Sequence, residues 1–114
     1  MDVFRQGDFL AAQVALTTFV TRHHNSVYLP SALFWLGNAQ YATKSYKESM
    51  ANFQKMLTLA PNHPRAAESM LAISNVQIEL KDLKAARVTL ADLVKSYPES
   101  ETAATARDRL SRLR

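Results

Sequence analysis

Residues 30–61, PSALFWLGNAQYATKSYKESMANFQKMLTLAP, decide how the rest of the chain is read. An apolar stretch over about 30 to 43 runs into the polar turn Lys44-Ser45-Tyr46. Behind the turn, Tyr46, Met50, Phe53 and Leu57 recur three and four residues apart. That spacing lines up one apolar face on a helix, so the segment reads as two antiparallel helices ended by Pro61. The same grammar returns every 37 residues. Gly7-Asp8-Phe9 and Lys81-Asp82-Leu83 are the equivalent turns; Ala12, Ser49 and Ala86 match, as do Leu16, Phe53 and Leu90, then Phe19, Met56 and Leu93. Pro61 corresponds to Pro98, Leu36 to Ile73 and Leu110, and Gln40 to Gln77.

A fixed period of this size marks stacked helical pairs that share one continuous core. The predicted architecture is all-α: a partial unit at 1–26, whole units at 27–63 and 64–100, and a capping helix at 101–114. First helices are expected at about 30 to 43 and 65 to 80, and the last at about 101 to 113. Asp8, Ser45 and Asp82 each precede an apolar stripe and are expected N-caps, with Ser45 and Glu48 forming a capping box. Asn62 and Ser100 are expected to cap the helices after Pro61 and Pro98, and Pro64 suits a first helical turn. Gly37 is expected to face Ser49, and Ser74 to face Ala86, because small residues let two backbones approach closely. Projected backwards, the first unit should begin about eight residues before Met1, so the chain reads as a domain cut from a longer protein.

Composition narrows the function. With 114 residues, 47% of them hydrophobic, and only two Gly and four Pro, the chain is one mostly helical domain with a useful core. No Cys is present, which excludes disulfides, thiolate metal sites and a Cys nucleophile. The sequence has no apolar run long enough to span a membrane. Net charge is +4, with Lys and Arg scattered except for Arg107, Arg109, Arg112 and Arg114. That cluster reads as the solvated face of a capping helix, where cations suit the C-terminus; without interleaved aromatics it does not read as a nucleic-acid site. Glycine-rich phosphate loops, a Ser-His-Asp order and usefully spaced carboxylate pairs are absent, so no enzymatic activity and no cofactor are expected. His23 and His24 read as a surface pair at a helix end, not as metal ligands. A stacked-helix protein presents a surface to a partner.

The pattern resembles the tetratricopeptide repeat, with Gly37, Ser49, Phe53 and Pro61 at its small, small, aromatic and proline positions. Leu90 and Pro98 hold the last two in the next unit. Leu33 stands where that repeat usually has Trp, and Trp35 lies two residues later. Tyr28-Leu29-Pro30, Ala32, Phe34-Trp35-Leu36-Gly37 and Tyr41 are similar to the second repeat of the Tol-Pal system YbgF family, the cell division coordinators CpoB. Lys95-Ser96-Tyr97-Pro98-Glu99-Ser100, with Ala103-Ala104 and Ala106-Arg107, resembles the end of that family. The resemblance implies helical hairpins stacked in a right-handed superhelix, a periplasmic location and binding of TolA. It also implies a link between outer-membrane constriction and peptidoglycan synthesis by a bifunctional penicillin-binding protein during division. Trimers of that family form through a coiled coil that this chain lacks. Another envelope scaffold, of the kind found in the lipoproteins of outer-membrane barrel assembly, is the alternative.

In repeats of this kind the first helix of each pair lines the concave face. Phe34, Asn38 and Tyr41, with Leu71, Asn75 and Ile78, are therefore the candidate partner-binding residues. Asn38 and Asn75 stand in register, and an amide both donates to and accepts from a peptide backbone. The apolar four are expected to supply the contact energy. Thr105, Asp108 and Arg112 are the expected contribution of the capping helix. The groove is expected to lack cations suited to clamping a terminal carboxylate, since Phe34 stands where a Lys would be needed. Trp35 is expected to pack between units.

Overall fold

A computed structural model of the chain describes residues 8–113. Over them it forms six helices: α1 (Phe9–Arg22), α2 (Leu29–Ala42), α3 (Tyr46–Leu59), α4 (Ala66–Glu79), α5 (Leu83–Ser96) and α6 (Glu101–Arg112). Gly7 and Arg114, which the sequence reading uses, lie outside the described residues. Each helix packs on the next, α2 also touches α4, and α4 also touches α6. The body measures 40 × 28 × 22 Å. This is a stack of helical hairpins, α2–α3 and α4–α5, with α1 at one end and α6 at the other.

The core follows the repeat. Phe53 and Leu90 have no exposed surface, nor do Met56 and Leu93 one turn later. Leu16 is the equivalent in α1, and it is only half-buried. Small residues set the closest approaches. Ser49 donates to the Gly37 carbonyl at 2.7 Å, which ties α3 to α2. The steric limit, however, comes from Phe53, whose ring would lie 2.8–2.9 Å from any β-carbon at Gly37. Ser74 and Ala86 are both fully buried. The Ser74 hydroxyl turns back on its own helix, to the Leu71 carbonyl at 2.6 Å, instead of crossing to the neighbour.

The turns inside each hairpin are the same turn made twice. Lys44 and Lys81 adopt left-handed backbone, φ 64 and 63. Around them Lys44 N–H donates to Tyr41 O at 3.1 Å and Ser45 N–H to Gln40 O at 2.8 Å. Lys81 and Asp82 repeat this on Ile78 and Gln77 at 2.9 and 2.8 Å. This pair of bonds satisfies the last free carbonyls of α2 and α4. It also explains why the expected capping box fails. Glu48 would need the Ser45 N–H, which is already given to Gln40, and Ser45 makes no side-chain cap. Asp8 makes none either. Asp82 and Ser100 do cap, accepting from Ala85 N at 3.2 Å and Ala103 N at 3.0 Å.

The remaining buried polar groups repeat too. Asn52 donates to Gln40 Oε1 and Thr89 to Gln77 Oε1, each at 2.7 Å and each pinning the second helix of a hairpin to the first. Between hairpins the chain departs from expectation. Asn62 is not the cap of α4, which begins at Ala66 with Arg65 in the cap position, and Pro64 precedes the helix. His63 N–H returns to Ala60 O at 3.0 Å and Ala66 N–H to His63 O at 2.9 Å, so two successive turns use up the residues before the helix. The joint is reinforced from unit three, where Tyr97 donates to Pro61 O at 2.6 Å.

Two outcomes test this packing. Gly37→Ala is expected to keep the helical circular dichroism yet lose about 1–3 kcal/mol in chemical denaturation, because the buried Phe53 ring has no room to retreat. Lys44→Gly and Lys81→Gly are each expected to gain about 0.5–1 kcal/mol, since left-handed backbone penalises a β-carbon and both side chains are exposed.

Candidate functional site

The six candidate residues come from α2 and α4, and the structure treats them unequally. Phe34 is only 6% exposed. Its ring meets Phe53 edge-on at 5.8 Å and Trp35 at 5.0 Å, and the Arg65 guanidinium lies 5.4 Å above it. It belongs to the core of the hairpin, not to the lining of a groove. The reason is local: Gly37 brings α3 close, and Phe53 then reaches Phe34 across the helix pair. Trp35 is half-buried against the same cluster, with Arg65 5.0 Å over its ring. Arg65 thus roofs both aromatics, and pairs with Glu68 at 3.1 Å on the outside.

Asn38 and Tyr41 lie three residues apart on one face of α2; Leu71, Asn75 and Ile78 occupy the matching face of α4. All five are half-buried. Leu71 leans on the core formed by α4, α5 and α6. The two asparagines are in register but differently engaged. Asn38 Nδ2 donates to the Phe34 carbonyl at 2.9 Å, within its own helix. Asn75 Oδ1 accepts from Arg109 Nη1, across to α6. Tyr41 reaches over the joint and donates to Glu79 Oε1 at 3.3 Å.

Tyr41, Asn75 and Ile78 converge on one open cleft of about 290 Å³, completed by Glu79, Arg109, Arg112 and Leu113. Arg112 was expected inside; Arg109, read from sequence as part of a solvated cap, is the better placed of the two. It is half-buried, whereas the Arg112 side chain is 77% exposed and pairs with Asp108 at 3.3 Å. The expectation of a groove without suitable cations therefore needs correcting at this end. The capping helix lies against α4 as well as α5, and its last turn lines this cleft.

At the other end of α2, His63 joins unit two to unit three. Its Nδ1 accepts from Arg65 N–H at 3.0 Å, so Nε2 carries the proton and donates to Ser31 Oγ at 3.2 Å. His23 and His24 are exposed, and His23 rests on the Phe19 ring at 4.9 Å. Among the described residues no cluster of His, Asp or Glu could hold a metal ion.

Tyr41 titrates above the ordinary phenol value of 10.0, first because burial disfavours the phenolate and then because Glu79 repels it and bonds the neutral hydroxyl. Absorbance titration of the chain against Tyr41→Phe is expected to isolate this late component. Glu79→Gln should move it back toward 10.0 without abolishing the burial effect. With the folded value raised, the linked stability is present below pH about 10 and lost as pH rises beyond it.

Comparison with known proteins agrees with the repeat architecture. The model of the YfiO family, described as outer membrane lipoprotein, matches residues 1–114. No curated protein matches the chain. No helix among the described residues is long and apolar enough to cross a membrane. Six helices in stacked pairs and a family match along the full sequence lead to one assignment: the chain belongs to the YfiO family of outer membrane lipoproteins, envelope proteins built on tetratricopeptide-type repeats.

Proposed function

We infer that this chain is a non-catalytic periplasmic adaptor of the Tol-Pal type, which binds TolA through the concave face of α2, α4 and α6. In that role it helps to coordinate outer-membrane constriction with peptidoglycan synthesis during division, with a bifunctional penicillin-binding protein as a second partner. Intact, the parent protein would trimerise through a coiled coil outside this sequence. The observation that carries the binding reading is the cleft at Tyr41, Asn75 and Ile78, where polar and apolar groups from two units and the cap meet at an open surface. The Tol-Pal assignment rests on the resemblance carried by Phe34-Trp35-Leu36-Gly37 and by the closing run from Lys95 to Ser100.

A second reading, a module of the outer-membrane barrel-assembly lipoprotein kind, is favoured by the family match itself. Sequence upstream of Met1 distinguishes them: coiled-coil heptads support the first, a lipid-box Cys the second.

Calorimetric titration with the periplasmic C-terminal part of TolA tests the leading reading. Saturable binding is expected, with Asn38→Ala and Ile78→Ala each weakening it by about 1–2 kcal/mol while leaving helicity intact. Absence of binding by a folded chain would count against TolA as the partner. Phe34→Ala is a poor probe of the groove, because truncating a buried Phe removes about 3–5 kcal/mol of stability.

A further inference from the structure

We propose that the cleft between α2, α4 and α6 is a socket for one acidic side chain of the bound partner, with Arg109 as the anchoring cation. The proposal rests on the concave-face binding reading above and specifies its chemistry. Arg109 is half-buried, and the group that holds it, Asn75 Oδ1, is a neutral amide. Among the described residues the ion pairs are Arg65 with Glu68 and Arg112 with Asp108, and no carboxylate lies within ion-pair distance of Arg109. A guanidinium has five N–H donors in a planar fork, and one bond to an amide leaves the fork able to grip a carboxylate. Asn75 fixes the orientation of that fork in advance, which lowers the cost of ordering it on binding.

The rest of the cleft fits the same ligand. Arg112 stands beside Arg109 on α6 and adds a second guanidinium at the rim, its charge shared with Asp108. Ile78 and Leu113 supply apolar wall for the stem and neighbours of the incoming residue, and the Tyr41 ring adds to them. Glu79 is the anion of the cleft, tied to the Tyr41 hydroxyl. It makes the socket polar from side to side, so a carboxylate is held against α6 and repelled from the α4 edge. The cleft is open to solvent, which leaves room for an extended chain to pass across it. That favours an internal Asp or Glu over a chain end as the occupant.

The test uses the whole 114-residue chain and three blocked or unblocked pentapeptides, followed by NMR of backbone amides and the Arg Nε–H groups. The first peptide has one Asp between two Leu and both ends capped; the second replaces Asp by Asn; the third carries Asn and a free C-terminus. Saturable shifts at Arg109 and Asn75 are expected with the Asp peptide, about tenfold weaker with the capped Asn peptide. Arg109→Gln should abolish that preference, and Arg109→Lys should restore it in part. Arg112→Gln, at an exposed position, should weaken it without touching the fold. Equal binding of the Asp and capped Asn peptides, or an unchanged preference in a folded Arg109→Gln chain, overturns the proposal. Shifts with the free C-terminus alone overturn it in favour of a chain-end reader. The peptides report on the cleft whether or not TolA is the partner; the TolA titration reports on that reading separately.

Discussion

The Phe53 ring occupies the space that a β-carbon at residue 37 would need, and much of the architecture follows from that contact. It draws α2 and α3 together closely enough for Ser49 to reach the Gly37 carbonyl. It gives Phe34 an aromatic partner across the hairpin and so removes Phe34 from the surface. Trp35 and Arg65 then close over the same cluster. Burying Phe53, Leu33 and Met56 each contributes about 1.5–3 kcal/mol, gained only while the helices stay this close. One missing side chain thus fixes which aromatic residues of the hairpin belong to the core.

Between units, hydrogen bonds add to the packing of α4 against α3 and α2. Tyr97 to Pro61, Arg65 N–H to His63 Nδ1, Ser69 to Met56 and Tyr41 to Glu79 each join neighbouring repeats. Repeat proteins hold together through such nearest-neighbour interfaces, so the curvature of the groove is set by these joints. The capping helix is the one element that breaks the pattern. It closes the core with Ala103 and Ala106, both fully buried, while its last turn brings Arg109 and Arg112 to the cleft. A cap required for stability therefore also supplies the charge in the groove.

The fold was legible because its signals repeat. Gly37, Ser49 and Phe53, and the 37-residue register of Leu16, Phe53 and Leu90, state the helix pairs in residue type alone. What escaped the sequence was competition for single hydrogen-bond groups. Ser45 looks like the start of a capping box, but its N–H is committed to Gln40 by the turn before it. The left-handed backbone at Lys44 and Lys81 was signalled only by Gly7 in the same register. Helical spacing groups Tyr41, Asn75 and Ile78 on the first helices of the hairpins, and the three line one cleft. Phe34 was misplaced because spacing alone does not say how far a neighbouring helix covers a face. Arg109 was missed because the tilt of a terminal helix has no equivalent elsewhere in the chain to read it from.

The central claim is that a partner binds the concave face. Hydrogen–deuterium exchange of the chain alone and with the periplasmic C-terminal part of TolA tests it directly. Binding there is expected to slow exchange at the C-terminal turns of α2, α4 and α6, around Tyr41, Ile78 and Arg109, with α3 and α5 unchanged. Protection confined to α1, or to the outer faces of α3 and α5, would contradict it.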